Sequence, residues 1–549
     1  MNNYLYHGIL LSIVLLTGCA VLDPEDQYYE YKVSDKELHT ITPIEPNQFT
    51  AAPKSAAAAV TEPNIAAAPA EMEMSLEECR ALTLRNNLDL QTQLIAPTIA
   101  ATRISEAQAA FESVFRIGTS FTAYDNPGRI TDIGGGSYIV SPGSQSHNNN
   151  SDVGVKVPLR TGGTLDFSLA DDRTNIDSTP PVFENNARFS FSQPLLKNAG
   201  QRINMQGILL AQYNKQITDN YTKFQVILVL SNTDKAYWQL YAARKELEVR
   251  QKQHELAVAQ LNRARRLVDA GQSARVEIVR AEAGVARQLA AIITAENNLR
   301  RSQRDFKKII NKRGLDIETA TIMIPATEAD PVHYTFDAAK LITQAFENRY
   351  ELLEIELRIA ESISNIDFQN NQMLPNVALN YIYNIPSTGL TRNDSYTMLN
   401  QKGYENHSIG ISLEAPLGNE AAKSQLRRAM YEKRQNFATK SKQRQLVKQE
   451  VLDALDTAET NWQQILASRQ SAILEGQLYE TEIRQFEVGL RTSTDVLDAQ
   501  ARFADAQSSE ITALVNYEIS LVDLAYKTGT LLGADKILWE PIVPITPVN

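Results

Sequence analysis

Two carboxylates three residues apart, Asp495 and Asp498, lie in the segment GLRTSTDVLDAQ (Gly489 to Gln500), behind a glycine that interrupts a long helix-forming tract. Such a pair could serve as general acid and general base, hold a cation, or be two solvated charges on one helix face. Acid–base catalysis would also require a nucleophile, oxyanion donors and a pocket, and the neighbouring residues supply none of them. The six histidines, His7, His39, His147, His254, His333 and His407, are scattered, with no HExxH pattern and no Cys/His cluster at metal spacing. The expectation is a protein that is not an enzyme and needs neither cofactor nor metal.

The elements that would position the two aspartates are unusually long. Aromatic residues make up 7% of the 549-residue chain and charged residues 22%, with tracts rich in Ala, Gln, Glu, Arg and Leu. That composition suits extended helices with wet outer faces. From Ile208 to Ala270 there is neither Gly nor Pro, and Leu240, Leu247, His254, Leu261 and Val268 recur every seventh residue. This spacing predicts a coiled-coil seam on a rod of about 100 Å. His254 on that line reads as a seam residue. A net charge of -11 argues against a nucleic-acid partner, which requires clustered Lys and Arg.

The N-terminus reads as an address. Ile9 to Leu16 is apolar but too short to span a bilayer as a helix. It leads into Leu16-Thr17-Gly18-Cys19, which resembles the bacterial lipobox. That resemblance implies a signal peptide over 1–18 and an acylated Cys19 as first mature residue, anchored by its acyl chains in the outer membrane. With Cys19 acylated, Cys79 has no partner for an intrachain disulfide. Residues 19–74, Pro/Ala-rich and poor in large apolar side chains, are expected to form a flexible tether.

The remaining chain is one unit written twice. SLEECRALTLRNNLDL (Ser75 to Leu90) pairs with TFDAAKLITQAFENRYEL (Thr335 to Leu352), and FSFSQPLLKNAG near Pro194 with IGISLEAPLGNE near Pro416. AYWQL at Trp238 pairs with TNWQQ at Trp462, and DAGQSARVEIVRAEA at Gly271 with EVGLRTSTDVLDAQA at Gly489. The repeats are placed at 75–313 and 335–533, with a linker over 314–334 and a tail over 534–549.

Period-two alternation predicts strands at 115–124, 187–193, 377–385 and 407–415, of a length near that of transmembrane β-strands. Gly- and Asn-rich stretches such as GGGSYIVSPGSQSHNNNS and PSTGLTRNDSYTMLNQKGYEN are expected to be long external loops. Residues around Gly162 and Gly163 form a candidate extra hairpin whose place in a barrel stays open. Four strands cannot close a barrel, and one helical hairpin cannot bury its own seam. Assembly around an axis removes both deficits, and three chains would supply twelve strands and one helical tube.

In the order and duplication of these motifs, from about Ser75 to Gly533, the chain resembles the outer-membrane efflux protein (TolC) family, specifically its lipoprotein branch. The resemblance implies a mainly α fold with a small β part: a long coiled-coil α-barrel crossing the periplasm and a transmembrane β-barrel completed by trimerisation. It further implies a homotrimeric export duct that passes small molecules such as drugs or metals from an inner-membrane pump and a periplasmic adaptor to the exterior. Gly271 and Gly489 would mark the periplasmic tips, with Gly271, Val488, Gly489 and Leu490 in the adaptor contact. Asp495 and Asp498 match the family's constriction aspartates, which three copies would stack as two acidic rings acting as a charge-selective gate. Glu277 and Arg491 match the family's tip latch, whose tyrosine is replaced by Phe486. Two other readings stay open: the outer-membrane component of a type I protein secretion system, and a coiled-coil surface lipoprotein without a pore.

Overall fold

The computed structural model describes residues 71–537, apart from 133, 177, 178 and 536. Cys19, the signal peptide 1–18 and most of the tether lie outside the described residues, as does nearly all of the tail. The last four tether residues belong to the body. Glu71–Met74 (β1) pairs in parallel with Ile322–Pro325 (β8), a strand inside the expected inter-repeat linker.

Each repeat opens with a helix pair whose first helix is capped. Ser75 and Glu78 form a reciprocal capping box at the start of α1 (Leu76–Asn86), and Asn87 caps α2 (Leu88–Ala109) by accepting from Leu90 N at 2.9 Å. In the second repeat Asp337 caps α5 (Ala338–Asn348), which is followed by α6 (Tyr350–Gln372). Long hairpins complete the repeats: α3 (Gln206–Asp269) with α4 (Val276–Ile310), and α8 (Glu420–Glu487) with α9 (Ser493–Lys527). No described helix is long and apolar enough to cross a membrane.

The hairpins pack by heptads, although the seam on α3 differs from the expected leucine line. Leu240 on that line is buried, but Leu247, His254, Leu261 and Val268 are only half-buried, whereas Gln253, Ala257, Gln260 and Ala264 are buried. Small side chains bring the backbones close enough for polar contacts, and Gln500 Nε2 on α9 donates to the Gln253 carbonyl at 2.7 Å. On α8 the buried line is Val451, Ala458, Ile465, Ala472, Tyr479 and Phe486, at an unbroken seven-residue spacing that holds the seam on one side of a supercoil.

At mid-length, β1 and β8 close over a core of Met74, Cys79, Tyr237, Trp238, Phe306 and Met323. The Tyr237 hydroxyl accepts from Thr327 N at 2.8 Å, and Arg80 donates to both oxygens of buried Asp234 at 2.8 and 2.9 Å. Burial pushes the Cys79 thiol up to about 12, so it is an inert core residue.

The sheet is larger than expected. It contains β2 (Val114–Asn126), β5 (Ser144–Pro158), β6 (Thr164–Ile176), β7 (Val182–Pro194), β9 (Asn376–Gly389) and β10 (Asn406–Glu414), each antiparallel to the next in that order. The hairpin around Gly162 is therefore part of the sheet, inserted between β2 and β7, and the described residues supply six strands to it instead of four. Its turn is fixed by Gly162 at φ 90°, where a Cβ would stand 2.3 Å from the Asn198 carbonyl.

The loop expectation for SQSHNNNS is overturned, because these residues belong to β5 and pair with β2 and β6. Their polarity on both faces hid the strand period. Part of the same stretch forms β4 (Tyr138–Ser141), which pairs with β3 (Arg129–Asp132). The second expected loop starts inside β9 and contains α7 (Arg392–Asn400), whose buried Ser395 meets Ser387 of β9 at 3.1 Å.

Candidate functional site

The two long hairpins turn on the same backbone device. After α3, Gly271 has φ 68°, its N–H donates to the Val268 carbonyl, and Gln272 N donates to the Leu267 carbonyl. After α8, Gly489 has φ 76°, its N–H donates to the Phe486 carbonyl, and Leu490 N donates to the Gln485 carbonyl. Both are Schellman turns, which satisfy the last helical carbonyls through a left-handed residue. Among the described residues no atom lies within 4 Å of the position of a Cβ at either glycine, so backbone conformation selects the residue. Val488 and Leu490 flank the second glycine at 70% and 74% exposure. The two turns border one hollow whose lining includes Leu267, Gln272, Glu277, Phe486 and Arg491.

Glu277 and Arg491 share this hollow but bind other partners. The Glu277 carboxylate, 9% exposed, accepts from Ser493 N at 3.1 Å and from the Ser493 hydroxyl, and Arg280 donates to its other oxygen at 2.7 Å. Ser493 is the first residue of α9, so this acid sits where the helix dipole and free N–H groups favour negative charge. Arg491 turns back along α8, donating to Gln485 at 3.0 Å and pairing with Glu482 at 3.2 Å. Within one chain, the expected direct Glu277–Arg491 pair is replaced by a Glu277–Ser493 tie between the two repeats and a separate Arg491–Glu482 pair.

The two aspartates are not equivalent. Asp495 closes a capping box with Thr492: its carboxylate accepts from Thr492 N and from the Thr492 hydroxyl, each at 2.9 Å. These bonds, backbone first, hold its carboxyl below the ordinary value, with Arg491 adding a smaller pull. Asp498, one turn on, is exposed, and its side chain makes no hydrogen bond or ion pair among the described residues. The helix presents Thr494, Asp498, Arg502 and Asp505 along its exposed side and buries Val496, Leu497, Ala499, Gln500 and Ala504. Both carboxylates thus stand within two turns of the tip, one fixed and one free.

Ser493 and Glu482 had not been singled out in the sequence. The Thr492-x-x-Asp495 box is a local pattern that could have been found there, whereas the Glu277–Ser493 tie joins residues 216 apart and carries no local signal.

The outer membrane efflux protein family model matches residues 341–530, the repeat that lacks the inserted hairpin. The chain is 25% identical over 328 residues to outer membrane protein TolC of Vibrio cholerae serotype O1, covering 58% of this chain and 72% of that protein. It is also 25% identical over 364 residues to TolC of Salmonella enteritidis, covering 62% and 70%. Among solved structures, the Campylobacter jejuni CmeC outer membrane channel superposes with a TM-score of 0.60 at 15% identity, covering 83% of this chain and 86% of CmeC. VceC, an outer membrane protein of Vibrio cholerae, gives 0.57 at 12% identity over 83% and 96%. The two-repeat fold, the paired helical turns and these relatives agree: residues 341–530 match the outer membrane efflux protein family, and the chain has the fold of TolC-like outer-membrane channels, which are not enzymes.

Proposed function

We propose that three copies of this chain form the outer-membrane duct of a tripartite efflux system, passing small molecules such as drugs or metals from an inner-membrane pump to the exterior. The supporting observation is a sheet with one apolar face and, among the described residues, two unpaired edges, carried on helical hairpins that end in two tied turns. A single chain leaves the edges and part of the helical surface without partners, and a threefold ring supplies them. Acylated Cys19 would hold the chain to the outer membrane, with the α-barrel in the periplasm.

The gate is assigned to Asp495 and Asp498. Three copies stack them as two acidic rings in which like charges favour bound cations and hinder anions. The exposed side chains of Val488 and Leu490, with the Gly271 and Gly489 turns, form the surface offered to a periplasmic adaptor. Opening requires the α8–α9 hairpin to move against α3–α4, which strains the Glu277–Ser493 tie, whereas the Arg491–Glu482 pair travels with its own hairpin.

The experiment is single-channel recording of purified protein in planar bilayers. Conductance that is low, cation-selective and blocked by multivalent cations supports the assignment, provided that the Asp495→Ala, Asp498→Ala double substitution relieves the block. A protein without conductance defeats it. Drug and metal susceptibility of a deletion strain, set against its secreted protein profile, separates efflux from protein secretion.

A further inference from the structure

The inserted hairpin changes the size of the barrel. Resting on the trimeric channel reading, we propose that β5 and β6 are full members of the wall, so that three copies close an eighteen-stranded barrel through pairing of β10 in one copy with β2 in the next.

Position in the sheet is the first argument. β5 bonds to β2 on one side and β6 on the other, and β6 bonds to β7. The hairpin is interior, so a barrel built from this sheet cannot leave it outside. The edges are β2, which follows α2, and β10, which leads into α8, and the two run in opposite directions. A second copy placed edge to edge therefore continues the antiparallel order without interruption.

Residue type gives the second argument. One face carries, along a single register row, Phe115, Val155, Phe167, Phe189, Tyr383 and His407. Adjacent rows on this face add Ile117, Val153 and Leu169 above, and Val157, Leu165 and Phe191 below. The other face carries Arg116, Asp152, Asp166 and Arg188, with Arg116 bonded to Asp166 at 3.0 Å. The hairpin obeys the same apolar-out, polar-in rule as the strands around it.

The third argument comes from the slope of the apolar band. In β2 it runs from Phe115 to Phe121, above the row that contains Phe115, whereas in β10 it runs from Ile409 to Leu413, below that row. Its centre shifts by about seven residues over five strand-to-strand steps, which at about 3.3 Å per residue and 4.8 Å per strand corresponds to a tilt of roughly 40–45°. A band level with the membrane demands tilted strands, and this angle falls within the range at which membrane barrels close. Eighteen strands at that tilt give a barrel about 36 Å across between backbones, against about 24 Å for twelve. The exit is then far wider than a small solute requires, and the size limit lies at the helical tip.

Continuing the same slope across the subunit boundary places Thr119 of one copy opposite Ile411 of the next. Thr119→Cys combined in turn with Ile409→Cys, Ile411→Cys or Leu413→Cys, oxidised in intact outer membranes, tests this. Covalent trimers on a denaturing gel are expected, strongest with Ile411→Cys and absent from each single substitution. If no combination gives them, the edge pairing is wrong. A three-dimensional reconstruction of detergent-purified particles provides the second measurement, with eighteen strands expected. A trimeric channel with twelve strands and a displaced hairpin overturns this inference alone, whereas a poreless monomer overturns the channel reading beneath it.

Discussion

The Glu277 carboxylate accepts two hydrogen bonds from Ser493, one from its amide and one from its hydroxyl, and so ties the first helical hairpin to the start of α9. The acid is nearly buried, and both bonds are assisted by its charge.

Glu277→Ala is expected to release this tie. Losing charge-assisted bonds at a buried position costs about 2 kcal/mol, roughly a thirty-fold shift toward an open tip if the closed state alone contains them. Larger resting conductance in bilayers is the readout. Ser493→Ala, which keeps the amide bond, should give a smaller change in the same direction.

Asp495→Asn and Asp498→Asn should separate along the line between fixed and free. Asn at 495 disturbs the capping box as well as the charge, so it should both weaken cation block and destabilise the tip. Asn at 498 should weaken block alone. Because Thr492 holds the Asp495 carboxyl below its ordinary value, its stabilising contribution is present above the unfolded-state pKa and fades as pH falls through the lower folded one. Block titrated against pH, together with thermal unfolding of each variant, checks the separation.

Glu518, on α9 beside Asp330, is pushed from 4.5 up to about 7, mainly by burial and then by the Asp330 charge. A carboxyl raised in the folded state favours folding fully below its unfolded value, and that contribution is lost as pH rises through about 7. Glu518→Gln should therefore stabilise the protein at pH 8, by at most about 3 kcal/mol, and give no gain at pH 4.5. Thermal melts at the two pH values decide it.

Gly489→Ala should cost about 1 kcal/mol through the positive φ alone, since no atom meets the added methyl. Gly271→Ala should cost about the same. Equal losses of melting temperature for the two, with unchanged oligomeric state, would match a purely backbone origin.

The helical part of this architecture was readable because its signals are local and repeated. The absence of Gly and Pro from Ile208 to Ala270 marked α3, and the doubled motifs marked the second repeat. The seam was placed correctly only at Leu240; beyond it the buried positions are Gln253, Ala257, Gln260 and Ala264, residues that hydrophobicity flags weakly or not at all. The upper half of β5 was missed because Gln145 to Ser151 are polar on both faces, so no alternation distinguishes strand from loop. At the tip, residue types pointed to Glu277 and Arg491, but the choice between each other and Ser493 or Glu482 depends on how two distant hairpins meet.

The two Schellman turns have a symmetry consequence. Their backbones match, yet one is flanked by Ala270 and Gln272 and the other by Val488 and Leu490. In a ring of three copies the inner end would display six knobs of one shape in two alternating kinds. A docking protein that reads shape would count six seats, and one that reads the valine and leucine would count three. The stoichiometry of the complex would therefore report which of the two it recognises.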